Sequence, residues 1–352
     1  MKYMLIAMAL LSFTGFYACD KKSNSPNINP PDTISTNPPD TGVAVFFAKG
    51  ADVSWVTEME AQGRTFKNRD NQPQECMSIL KGMGMNAVRL RVWVNPANGY
   101  NNTADVVSKA GRAKALGMKI MIDFHYSDSW ADPGQQNKPA AWSSASFAVL
   151  LDSVYHHTRN VLNALKLQGI TPTWVQAGNE TNDGLLWEDG RASANMPNYA
   201  QIIRKGYDAV KSIDTTIKVI VHLSNGFDNA LYRWNMDGLK NNGAKWDIIG
   251  MSLYPAAATW QNLNLQCLTN MNDMASRYNS DVMITEIGMS WTDSTACKEF
   301  ISDLISKAKQ VNNHRGIGVF YWEPESYNNW NGYTLGAFDN SGKPTIALTA
   351  FN

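Results

Sequence analysis

Surplus charge of either sign is what this sequence lacks: 31 Lys and Arg stand against 31 Asp and Glu, for a formal net charge of zero. Nucleic-acid binders neutralise phosphates with a basic surplus, so nothing electrostatic points to DNA or RNA as a partner. Cysteine is scarce, at four residues. Cys76 lies in a helical run and reads as a small buried hydrophobe, while Cys267 and Cys297 flank a late strand at a spacing that leaves a disulfide open. Neither spacing suggests zinc. No glycine-rich turn follows an early strand, which argues against a dinucleotide or phosphate site. No internal repeat recurs at a fixed period. The apolar run Met4 to Phe16 is too short to span a bilayer comfortably.

That run has the features of a targeting segment. Lys2 gives a small positive region, Met4 to Phe16 an apolar one, and Ala18-Cys19 a small-residue cleavage point. Its ending resembles a bacterial lipoprotein signal, which implies export and lipidation at Cys19, with a cleaved signal and incidental Cys as the alternative. Residues 20–44, rich in Pro, Asn, Ser and Thr, read as a flexible tether. The expected location is therefore the bacterial cell envelope, with membrane contact only through the lipid.

From Val45 onward, 44% hydrophobic content over 352 residues supplies one large core or two ordinary ones. Short apolar runs alternate with longer amphipathic ones. Strands are predicted at Val45 to Asp52, Ala87 to Trp93, Met118 to His125, Trp174 to Ala177, Lys218 to Leu223, Trp246 to Tyr254, Val282 to Glu286 and Ile317 to Trp322. Helices are predicted at 73–83, 104–116, 145–167, 199–213, 230–239, 263–278 and 295–311, with a short closing helix at 345–351. Eight such alternations predict a single α/β domain, a (β/α)8 barrel over residues 45–352. An open doubly wound sheet is the structural rival; the recurrence of polar residues at strand carboxyl ends disfavours it.

In such barrels catalytic groups gather at those ends. The residues that meet the description are Asp52, Arg89, Arg91, Asp123, His125, Asn179, Glu180, His222, Tyr254, Glu286, Trp322 and Glu323. Each alone has a bland reading, as a helix cap, a core histidine or a floor ion pair. Together, two glutamates on the fourth and seventh strands, set among polar and aromatic groups, are the raw material of glycoside hydrolysis. Twelve Trp and thirteen Tyr add flat faces suited to sugar rings.

The finer motifs resemble glycoside hydrolase family 53, the arabinogalactan endo-β-1,4-galactanases. They are GADVS (50–54), RLRVW (89–93), DFHYSD (123–128), WADPG (130–134), KPAAW (138–142), QAGNE (176–180), TEIG (285–288) and FYWEP (320–324). The resemblance implies a retaining, endo-acting enzyme on β-1,4-galactan of pectin side chains, with Glu180 as general acid/base and Glu286 as nucleophile. Chemistry asks for the same division, one carboxyl protonated and one ionised. Arg89, with Arg91 second, is the candidate cation to keep Glu286 ionised. Tyr254 is expected to donate to Glu286, and Asn179 to hold the sugar 2-hydroxyl. Trp322, Trp93, and Trp142 with Trp130 are expected to stack on galactose, while Asp52, Asp123, His125 and Glu323 bond its hydroxyls. No organic cofactor is implied and nothing requires more than a monomer. Some family members carry a structural calcium; Asp293 and Asp339 are the candidates here, and calcium wants six to eight oxygens. The rival readings are a β-mannanase or cellulase of the same clan, a non-catalytic surface glycan-binding lipoprotein, and a phosphate-binding metabolic barrel.

Overall fold

Strict alternation of side chains along parallel strands decides what fills the middle of this protein. A computed structural model describes residues 46–352, so the leader at 1–19, the lipidation at Cys19 and the tether at 20–44 lie outside the described residues. Eight strands close into a parallel barrel in sequence order: β1 (Ala48–Asp52), β2 (Ala87–Val92), β3 (Lys119–Phe124), β4 (Trp174–Ala177), β5 (Lys218–Leu223), β6 (Ile248–Leu253), β7 (Asp281–Ile287) and β8 (Gly316–Trp322). The (β/α)8 expectation is met.

Helix α1 (Val56–Ala61) and helix α2 (Cys76–Gly82) follow β1. Each later crossover has one main helix: α3 (Thr103–Ala115), α4 (Phe147–Leu167), α5 (Ala192–Ile213), α6 (Asn229–Asn241), α7 (Trp260–Tyr278) and α8 (Ser294–Lys309). A 3-10 helix, Ile346–Phe351, closes the chain. Helix starts follow their caps: Glu75 accepts from Ser78 N–H at 2.6 Å, Asn102 from Asp105 N–H at 3.0 Å and Asp228 from Leu231 N–H at 3.0 Å. Helix α5 begins seven residues before the predicted Tyr199. A kink at Asn195 puts Pro197 in the first turn of the helix beyond it, where proline is tolerated.

Outward residues of the strands, such as Val88, Leu90, Ile122, Val175 and Ile249, pack beneath the helices in the main core. Inward ones form a second, smaller core with one residue from each strand: Ala48, Ala87, Met121, Trp174, Ile220, Ile248, Met283 and Phe320. This plug leaves the next inward positions, nearer the carboxyl ends, to polar groups: Asp52, Arg89 and Arg91, Asp123, Gln176 and His222. Gly50 has no side chain because a Cβ there would enter the Phe320 ring.

Counting from Met283, alternation would turn Glu286 outward. The register slips instead: Met251 pairs with Ile284 but Ser252 with Glu286, so Thr285 is an extra residue on β7. A bulge of this kind re-aims the following side chain. Glu286 thereby faces the barrel mouth, and Ile287 joins the outer core.

Cys267 and Cys297 are both unbonded and buried. Cys267, on α7, packs near Gly226, whereas Cys297, on α8, lies 3.8 Å from the Tyr321 hydroxyl. Burial pushes each thiol up to about 12. The open disulfide is thus not formed, and Cys76 is buried as expected.

Candidate active site

A buried cation organises the mouth of the barrel. Arg89, inward on β2, places Nη1 2.6 Å from Asp52 Oδ2, and Nη2 2.9 Å from Asp123 Oδ2 and 2.8 Å from Glu286 Oε1. Its Nη2 also donates to Asn179 Oδ1 at 2.9 Å, and its Nε to Gln176 Oε1 at 3.2 Å. Burial works against the guanidinium charge, but Asp123, Glu286 and Asp52 together hold its pKa above the usual value. One cation serves three carboxylates, so the floor is net negative.

The histidines around it are neutral. His125 Nδ1 accepts from Ala131 N–H at 3.1 Å, which leaves Nε2–H to donate to Asp123 Oδ2 at 3.0 Å. Burial lowers the His125 pKa despite Asp123, and burial, then the Arg89 charge, lowers that of His222 further. His222 joins Ser252, 2.7 Å from its Nε2, to the Glu180 backbone N–H, 3.3 Å from its Nδ1.

Glu180 follows the tight end of β4 with φ +44°, in the left-handed region. A non-glycine residue is uncommon there, and such backbone clusters where a side chain must be aimed. Asn179 beside it is clamped, its Nδ2 donating to Ala131 O at 2.8 Å while its Oδ1 receives Arg89. Glu286 has a donor on each oxygen: Arg89 on Oε1, and the Tyr254 hydroxyl on Oε2 at 2.8 Å.

Glu180 and Glu286 line one cavity of about 540 Å³. Asn179 and Tyr254 stand beside them; Trp55, Trp130, Trp322 and Tyr333 form an aromatic wall. Both carboxyl pKa values run upward. For Glu286 burial is the main cause, opposed by Arg89 and reinforced by the Glu180 charge, and the result is pushed up to about 8. For Glu180 burial again leads, opposed by the Ser252 hydroxyl and then Arg89. Two such carboxyls hold one proton between them at neutral pH. Direct donors on both Glu286 oxygens favour its ionised form, which leaves the proton to Glu180.

The cavity takes in fewer of the expected residues than the sequence suggests. Asn179, Glu180, His125, Tyr254, Glu286, Trp130 and Trp322 line it. Asp52, Asp123 and Glu323 are fully buried and bond to arginines in the floor, not to the open space. Arg91 pairs with Glu323 Oε1 at 3.1 Å and not with Glu286, since it lies two residues farther along β2 than Arg89, toward the carboxyl end. His222 lies beneath Glu180. Trp93 packs behind Trp130 at 5.3 Å between ring centroids. Trp142, on the 3-10 turn Ala140–Trp142, packs against His157 beside a different cleft.

Trp55 and Tyr333 line the cavity although no motif takes them in, Asp132 lines it from within the WADPG motif without having been singled out, and Gln176 ties its floor together, Nε2 reaching Asp123 Oδ1 at 2.6 Å. Alternation could have found Gln176, two positions after inward Trp174; Tyr333 sits in a long irregular loop that no periodicity reaches. Among the described residues, no group of three or more His, Cys, Asp or Glu side chains gathers to hold a metal. Asp339 spends its carboxylate on Ser341 N–H at 2.8 Å and the Ser341 hydroxyl at 2.6 Å, and Asp293 is exposed on a 3-10 turn.

Residues 48–351 match the profile of glycosyl hydrolase family 53. An arabinogalactan endo-β-1,4-galactanase of Thermothelomyces thermophilus is 33% identical over 331 residues, covering 86% of this chain and 98% of its own. An endo-β-1,4-galactanase of Bacillus subtilis (strain 168) is 32% identical, covering 79% of this chain and 70% of its own. A solved fungal β-1,4-galactanase superposes with a TM-score of 0.81 at 32% identity, over 88% of this chain and 99% of its own.

Proposed function

Because the chain belongs to glycosyl hydrolase family 53, we propose that it is a retaining endo-β-1,4-galactanase acting on galactan of the kind found in pectin side chains. Glu286 attacks the anomeric carbon as Glu180 gives its proton to the departing glycosidic oxygen. A glycosyl ester on Glu286 results. Glu180, now ionised, takes a proton from water, whose oxygen displaces Glu286 and restores both groups. Asn179 holds the sugar 2-hydroxyl, and the indole wall takes the sugar rings. The observation that carries this reading is the asymmetry of the pair: both Glu286 oxygens are held by donors at 2.8 Å, while Glu180 faces the same cavity under weaker constraint.

The decisive experiment is reducing-sugar release from linear β-1,4-galactan, with mannan and carboxymethyl cellulose alongside. The wild-type chain should release galacto-oligosaccharides, and Glu286→Gln none. Faster release from mannan or cellulose would move the substrate within the clan. Binding without release would favour a glycan-binding protein. We further propose that the chain is exported and held at the bacterial cell envelope by a lipid on Cys19, and that it works as a monomer; labelling with a radioactive fatty acid, lost in Cys19→Ala, tests the anchor.

A further inference from the structure

Arg91 is fully buried, yet its only hydrogen-bonded counter-ion is Glu323, and Nε and Nη2 have no acceptor among the described residues. What surrounds it instead is aromatic. Its guanidinium carbon lies 4.3 Å from the Trp130 ring centroid, 5.1 Å from that of Trp93 and 5.5 Å from that of Trp55. A guanidinium is always charged, and rings at such distances stabilise the charge through their π faces. The indoles are also locked to one another edge-on: Trp55 on Trp130 at 5.7 Å, Trp93 on Trp130 at 5.3 Å, Trp55 on Trp322 at 5.1 Å. Glu323 closes the unit, because its second oxygen accepts the Trp55 backbone N–H at 3.1 Å.

Trp55 and Trp130 also line the cavity, and Arg91 does not reach it. Arg89, two residues earlier, holds Glu286; Arg91 touches neither member of the carboxyl pair. The two arginines thus divide the labour along one strand.

We propose that Arg91 is a positioning residue for sugar binding: a buried cation that fixes Trp130 and Trp55 at the angle at which they stack on the bound polysaccharide, with Glu323 as its anchor. A cation at the centre of a ring cluster fixes orientation better than packing alone, because the rings must keep their faces toward the charge. Loss of Arg91 should loosen the wall and leave the reacting carboxyls in place.

This inference rests on the galactanase reading only for the choice of substrate. Arg91→Met, Arg91→Lys and Glu323→Gln are compared with wild type in the full chain, with kcat and KM measured on linear β-1,4-galactan and near-ultraviolet circular dichroism recorded without substrate. Arg91→Met should raise KM about tenfold and keep kcat within about threefold. Arg91→Lys should recover part of the loss, since the charge returns without the planar fork. The indole signal near 290 nm should weaken while far-ultraviolet dichroism stays intact. A fall in kcat with KM unchanged, or an unaltered KM and indole signal in Arg91→Met, would overturn the proposal. Should Arg91→Met fail to fold, the isosteric Glu323→Gln decides on the same split. If the wild type leaves galactan uncut, the galactan reading fails, and KM is measured on whichever control polysaccharide it cleaves, or the indole signal alone decides.

Discussion

At the scale of single residues, the protein separates two carboxyls by what donates to them. Tyr254 gives Glu286 a hydrogen bond that lowers its proton affinity, against burial and the Glu180 charge. Tyr254→Phe removes that donor, so the Glu286 pKa rises further. The acid limb of the kcat/KM profile should then move to higher pH; an unmoved limb would mean that Glu286 does not set it. Glu180→Ala should slow polysaccharide cleavage by about two orders of magnitude or more. The same variant should spare the first step on aryl glycosides whose leaving group needs no proton, and equal losses on both would remove Glu180 as the acid. Both glutamates are readable in the sequence because each ends an apolar strand. Their partners are less so. Alternation puts Arg89 and Arg91 on one face, but depth in the barrel decides that one meets Glu286 and the other Glu323, and depth is a property of the closed sheet.

Among the elements, strand number and order are legible because each strand is a short apolar run bounded by turn residues. The bulge on β7 is not, since two pairing registers fit the same residues until β6 fixes one of them. Nor is the start of α5, where a proline in a first turn looks like a proline that ends a helix. The lumen plug makes a testable demand on β1. Gly50 faces the Phe320 ring so closely that an added Cβ must displace it. Gly50→Ala should therefore cost about 1–3 kcal/mol, as overpacked cores do, read as a lowered melting temperature. Adding Phe320→Leu should return part of that loss, so the two changes are non-additive in a double-mutant cycle. Additive effects would place the Gly50 constraint elsewhere than against Phe320.

For the whole molecule, buried titratable groups set the pH window in which the fold is most stable. Burial raises the Glu180 and Glu286 pair, which holds one proton between its two carboxyls at neutral pH, and raises Glu323, beside Asp52, to about 7. Glu325 is raised well above its usual range by burial and by Glu323. A carboxyl with a raised folded pKa contributes stability that is fully present below the unfolded value, near 4.5. That contribution is lost as pH climbs through the folded value, because the unfolded chain releases the proton first. The buried histidines run the other way. Burial lowers His157 to about 4, lowers His125, and takes His222 well below 6.5. Their contribution is present above 6.5 and lost as pH falls through the folded value, because the unfolded chain takes up the proton first. Between 4.5 and 6.5 the two sets oppose each other, above 6.5 only the carboxyls act, and below 4.5 the histidines are reinforced by Asp123, in which burial is more than offset by Arg89 and the His125 hydrogen bond, so that its pKa is lowered. The melting temperature should thus be nearly level from about pH 4.5 to 6.5 and fall on either side, since a tenfold difference in proton affinity between the folded and unfolded chain is worth about 1.4 kcal/mol per group. Glu325→Gln keeps the shape and removes one buried titration, so it should flatten the fall above pH 6.5 and leave the acid side unchanged. A wild-type melting temperature that keeps rising from pH 6.5 to 8, or a Glu325→Gln profile parallel to it, would show that these buried carboxyls do not govern the alkaline limb.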